Sequence, residues 1–98
     1  MRRRSAQTSP EWRQALGSEL RRERTVRGLT QAALGRPLTR AFVSAVERGR
    51  TVPSLAALEL MLRRVDVPMS TFFAKVEARM VDQDLTGAYD PRHGDRHF

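Results

Sequence analysis

Apolar residues recur three to four positions apart along this chain, in short runs divided by glycine, proline and hydroxyl residues. Trp12, Leu16 and Leu20 form the first stripe. It is entered through Ser9-Pro10-Glu11: a capping serine, proline at the first helical position, and an acid at the positive end of the helix dipole. The same four-residue series next reaches Arg24, which is therefore expected to point inward or along the edge of the core. Gly28 is expected to stop this helix, with Arg27 as a favourable base in its last turn. Thr30 can cap a short helix over residues 31–34, closed by Gly35-Arg36-Pro37. Thr39 can cap another over residues 40–48, closed by Gly49. There Val43 and Val46 face inward, Leu38 plugs the core just before them, and Arg40, Ala41, Ser44 and Ala45 suit an exposed face.

Pro53-Ser54 restarts the chain into a fourth helix, where Leu55, Leu58, Leu62 and Val65 keep helical spacing. Pro68 and Ser70 predict a break and a new cap. A fifth helix is then expected from Thr71 through Phe72, Phe73, Val76 and Met80 to Leu85. From Gly87 onward Gly, Pro, Asp and His dominate, which reads as an exposed tail. No strand-like alternation is present, so the expected class is all-α with five helices. The expected division is a flexible basic arm over residues 1–8, a folded domain over 9–74, and a helical extension with its tail over 75–98.

Composition narrows the function. At 98 residues the chain has room for one small domain and not for a two-domain enzyme with a large cleft. It has no cysteine, which removes disulfides, thiolate catalysis and cysteine-bound zinc. No apolar run approaches the roughly 20 residues of a membrane helix, and no secretory segment follows the basic start. A cytoplasmic protein is expected, with no membrane partner. The net charge of +7 is unevenly placed. Residues 1–53 carry twelve arginines against four acids, a net of +8, whereas residues 54–98 carry six bases against seven acids. A polyanion is the expected partner of the first half, most commonly nucleic acid.

Two short helices joined by a tight turn, the second with a small and polar outer face, is the helix-turn-helix arrangement. Arg24-Thr25-Val26-Arg27-Gly28-Leu29-Thr30-Gln31 and Val43-Ser44-Ala45-Val46-Glu47-Arg48-Gly49-Arg50, followed by Pro53-Ser54-Leu55, resemble the Cro and lambda-repressor type of helix-turn-helix domain, the xenobiotic-response-element family. Val67-Pro68-Met69-Ser70-Thr71-Phe72-Phe73 is similar to the way that domain closes, so the resemblance spans about residues 13–73. It implies a transcription regulator that binds DNA as a dimer, without cofactor or catalysis.

By position, the resemblance makes residues 31–36 the scaffold helix and 40–48 the recognition helix. It assigns Gln31, Arg48 and Arg50 to the DNA backbone, and Thr39, Arg40, Ala41, Ser44 and Ala45 to the major groove. The residue types agree: arginine can bind guanine O6 and N7 with two hydrogen bonds, serine serves either base type, and alanine can touch a thymine methyl. The segment between Gln31 and Thr39 is about two residues shorter than the common pattern, which leaves Arg40 and Ala41 as alternatives for the deepest reader.

For each residue a plainer role competes. Arg40 could serve as a phosphate contact or a solvated arginine, since phosphate contacts outnumber base contacts. Gln31 could be a polar first-turn residue in water. Arg24 and Glu47 are expected to form a structural ion pair, and Trp12 to belong to the core. Arg2, Arg3 and Arg4 could enter a minor groove or simply add charge. His93 and His97 have metal spacing only if helical, which Pro91 and Gly94 oppose, so no metal is expected. Val76, Met80 and Leu85 are expected at a homodimer contact. The leading function is a sequence-specific transcription regulator, most commonly a repressor, on a near-palindromic operator. The alternative is an antitoxin or adaptor that uses the same fold and takes a protein partner through its C-terminal tail.

Overall fold

A computed structural model of the chain describes residues 9–83. The basic arm, Leu85, His93, His97 and the tail lie outside the described residues. The fold is all-helical, with α1 (Pro10–Thr25), α2 (Gln31–Gly35), α3 (Arg40–Glu47), α4 (Leu55–Arg64) and α5 (Met69–Gln83). Four of the five starts are capped by the hydroxyl residue that sequence chemistry selects. Ser9, Thr30, Thr39 and Ser54 accept hydrogen bonds from the backbone N–H of Trp12, Ala33, Phe42 and Ala57, at 3.2, 3.0, 3.0 and 3.0 Å.

The fifth start differs from the expectation. The N–H of Phe72 bonds the Pro68 carbonyl at 2.9 Å, so α5 begins at Met69 and Ser70 lies inside its first turn. Proline cannot donate to a preceding turn but its carbonyl can open a helix, so Pro68 serves as the start. The helix also runs unbroken past residue 74, so a domain boundary between 74 and 75 falls inside α5.

The core takes Ala15, Leu16 and Leu20 from α1, Leu34 from α2, Val43 and Val46 from α3, and Leu58, Met61 and Leu62 from α4. Val65 and Val67 add the α4–α5 link, and Phe72 and Val76 come from α5. Trp12 stands half-buried at the rim, edge-on to Phe73 with ring centres 6.0 Å apart. Leu38, expected to plug the core, is likewise only half-buried, and Leu55, in the first turn of α4, is 69% exposed. With Val52, Leu55 borders a mainly apolar cleft of about 240 Å³ beside Trp12, Leu16, Leu58 and Phe73.

Val76 is the other correction. It is completely buried in its own chain, between α5 and the core, and has no surface to give a second copy. Met80 is half-buried and the neighbouring Val81 is 57% exposed.

Two features set the position of α3. Gly17 lies in the middle of α1, where glycine costs a helix roughly 0.5–1 kcal/mol relative to alanine. A Cβ there would run into the Val46 carbonyl oxygen and come within 2.7 Å of that of Glu47. The missing side chain lets the last turn of α3 rest directly on α1. Gly49, with φ +76°, then turns the chain away in the left-handed conformation, and its carbonyl accepts from Arg13 Nε at 3.0 Å.

Helix α5 is tied to α1 by charge as well as by apolar packing. Glu19 and Glu23 follow Leu16 and Leu20 onto the buried side of α1, with 3% and 2% of their surface exposed. Arg79 reaches Glu19 at 2.8 Å, Lys75 reaches Glu23 at 3.2 Å, and Arg27 adds a 2.7 Å bond to Glu23. Among the described residues no buried side-chain polar atom lacks a hydrogen-bond partner.

Candidate nucleic-acid interface

The short α2 and α3 are joined by Arg36-Pro37-Leu38-Thr39, in which the Arg36–Pro37 peptide is cis. Burial of Val43, Val46 and Glu47 fixes the rotation of α3 and leaves one face outward. That face carries Thr39, Arg40 and Ala41, all exposed, then Ser44 and Ala45, both half-buried, and Arg48 at the end of the helix. Arg50 follows, exposed, with its N–H on the Ala45 carbonyl at 2.9 Å. Arg40, Ala41, Ser44, Ala45, Arg48 and Arg50 together line one shallow concavity of about 310 Å³. Six of the eight residues expected at DNA thus share one concavity, with Thr39 exposed at the start of the same helix.

Gln31 stands half-buried beside that surface. Its Nε2 donates to Glu47 Oε1 at 3.0 Å, and its Oε1 accepts from Arg40 Nη1 at 3.4 Å. Glu47 is in turn held by Arg24, whose Nε and Nη2 donate to its two oxygens at 2.6 and 3.0 Å. A third Arg24 bond goes to the Leu29 carbonyl at 2.8 Å. The pair is deeply buried, with 13% of the Arg24 side chain and 3% of the Glu47 side chain exposed. A forked arginine–carboxylate bond of this kind fixes direction as well as distance. A chain therefore runs from the buried pair through Gln31 to the first side chain of α3. The Thr39 hydroxyl accepts the capping bond from Phe42 and keeps its own proton available to a phosphate oxygen.

A second concavity, of about 230 Å³, opens between α1 and α3, lined by Arg21, Arg24, Gln31, Arg40, Ser44, Glu47 and Arg48. Sequence reasoning passed over Arg21. Its only signal was position: it lies three residues before Arg24, on the turn of α1 that faces α3. Among the described residues no group of His, Asp or Glu side chains could hold a metal ion. No described helix is long and apolar enough to cross a membrane.

With this geometry in view, the family follows. Residues 15–70, more than half of the chain, match the model of a helix-turn-helix domain. The chain belongs to the helix-turn-helix family. Among curated proteins, none matches the chain. The matched segment of this helix-turn-helix protein runs from α1 into the first turn of α5, and so contains both concavities and the buried Arg24–Glu47 pair.

Proposed function

We propose that the protein is a sequence-specific DNA-binding transcription regulator of the Cro and lambda-repressor type, acting as a repressor in which α3 enters the major groove. The observation that carries this reading is the outward face of α3. Small and polar residues there sit between Arg40, Arg48 and Arg50, whereas most other arginines of the described chain are held in bonds to carboxylates or carbonyls. Small side chains let the helix approach base edges, Arg40 at its start reaches a base edge, and Arg48 and Arg50 at its end reach the phosphates. Gln31 acts here as a positioning residue that steers Arg40 and leaves one amide proton for a phosphate. One unit of this size reads half of a near-palindromic operator, so two copies act together.

A random-oligonucleotide selection followed by affinity measurements over a salt series tests the reading. A single consensus half-site is expected, with affinity falling steeply as salt rises, by a log–log slope of about −0.9 per phosphate contact. Arg40→Ala should cost about 1–3 kcal/mol on the selected site and relax preference at one base pair per half-site. Arg50→Ala should weaken selected and random duplexes alike. Equal losses on both for Arg40→Ala would make Arg40 a backbone contact and leave Ala41 and Ser44 as readers.

A further inference from the structure

The arginines of the described chain divide by what they hold. Arg22, Arg24, Arg27, Arg63 and Arg79 each hold a carboxylate, and Arg13 and Arg64 hold backbone carbonyls. The side chains of Arg21, Arg36, Arg48 and Arg50 make no hydrogen bond or ion pair among the described residues. Arg21 stands out because it lies on α1, outside the two helices that define the motif. It shares the α1–α3 cleft with Arg40 and Arg48.

The floor of that cleft is already committed: Glu47 is occupied by Arg24 and Gln31. Four arginines line the cleft against one carboxylate, a net of +3. Guanidinium groups brought together without a counter-charge repel one another, and an anion between them turns that repulsion into attraction. Guanidinium also has the fork that matches two oxygens of a phosphate. The cleft, at about 230 Å³, is several times the roughly 30 Å³ of a water molecule and has room for a phosphate group. Its Arg40, Ser44 and Arg48 walls continue into the concavity formed by Ala41, Ala45 and Arg50. An anion seated there is therefore flush with the surface that faces the groove, where a duplex presents its phosphates.

We propose that the α1–α3 cleft binds one backbone phosphodiester of duplex DNA, with Arg21 as its wall on α1. The proposal rests on the DNA-binding reading above. It makes α1 a third DNA-contacting helix. A phosphate gripped from α1 and α3 together also fixes how far α3 rotates in the groove, which a contact from α3 alone does not.

The test compares the full-length wild type, Arg21→Ala and Arg63→Ala on the selected operator and on random duplex, over a salt series. Arg63 is the control because it is an exposed arginine on α4, paired among the described residues with Glu59. Arg21→Ala is expected to weaken both duplexes by a similar factor, roughly tenfold, and to reduce the salt slope by about 0.9. Arg21→Lys should keep the slope, and Arg63→Ala should change neither quantity. Unchanged affinity and slope for Arg21→Ala, while Arg40→Ala still impairs the operator, overturn the cleft assignment and leave the DNA reading standing. A wild type that binds no duplex overturns both. A third arm replaces chloride by inorganic phosphate at equal ionic strength. Any loss of DNA affinity in phosphate is expected to be larger for the wild type than for Arg21→Ala, because the two anions compete for one cleft. Arg21-dependent phosphate binding to the free protein, with DNA affinity and slope unchanged in Arg21→Ala, makes free phosphate the occupant and overturns the duplex assignment.

Discussion

Glu47 receives hydrogen bonds from Arg24 and Gln31 while nearly all of its side chain is out of water, so its stability depends on those partners. Removing it leaves the Arg24 guanidinium buried without a counter-charge. Glu47→Ala should therefore destabilise the fold by about 3–5 kcal/mol, far more than Glu11→Ala at the exposed start of α1. Thermal melts compare the two; similar small losses would mean that water reaches the pair. The Arg24–Glu47 pair was legible in the sequence because the apolar series of α1 runs directly into Arg24, and Glu47 adjoins Val46. The role of Gln31 was not legible. A side-chain amide at a helix start can face solvent, a phosphate or a carboxylate equally well, and only the fold brings Glu47 within 3.0 Å of it.

Between helices, two contacts of opposite character hold α1 in place: bare backbone at Gly17 and buried charge at Glu19 and Glu23. Burial pushes the Glu23 carboxyl up, but hydrogen bonding with Glu19, Arg27 and Lys75 outweighs it and holds the group at about 2, below its usual 4.5. The folded state thus takes up this proton less readily than the unfolded chain. The resulting stability is fully present above pH 4.5 and is lost as pH falls toward 2. Arg27 and Lys75 are partly in water, which reduces the effect to about 1–3 kcal/mol. In Glu23→Gln that part of the acid-induced loss should disappear, which urea melts at pH 5 and at about pH 3 would measure. An unchanged pH dependence would show that other carboxylates drive the acid response. In the sequence these two acids counted only as charge. Their positions continue the stripe through Leu16 and Leu20, but an acid on an apolar stripe is interpretable only once Lys75 and Arg79, more than fifty residues away, are known to cover it.

Across the whole molecule, the five-helix class was legible because nearly every junction carries its own punctuation, from Ser9-Pro10 to Gly49 and Pro53-Ser54. The extent of α5 was harder to read, since Val76, Met80 and Val81 suit a helix whether they pack on their own chain or on another. Burial of Val76 decides the first case and limits the second: among the described residues, a contact through α5 rests on Met80 and Val81. In the proposed dimer on a two-fold operator, with half-sites roughly 34 Å apart, two copies would meet away from their DNA faces. The apolar cleft beside Leu55 is a poorer meeting place because Leu55 follows Arg50 closely, and pairing there brings two basic faces together. The outer half of α5 has its bases, Lys75 and Arg79, already paired with Glu23 and Glu19. Truncation after Ala74 would remove Val76 from the core, so a point substitution is the cleaner probe. Val81→Glu should convert a dimer to monomer in sedimentation at tens of micromolar while leaving the melting temperature of the fold nearly unchanged, because Val81 lies outside the core. Leu55→Glu should leave the dimer intact. The reverse pattern would place the contact at the Leu55 cleft, and a monomeric wild type would mean that two copies assemble only on DNA.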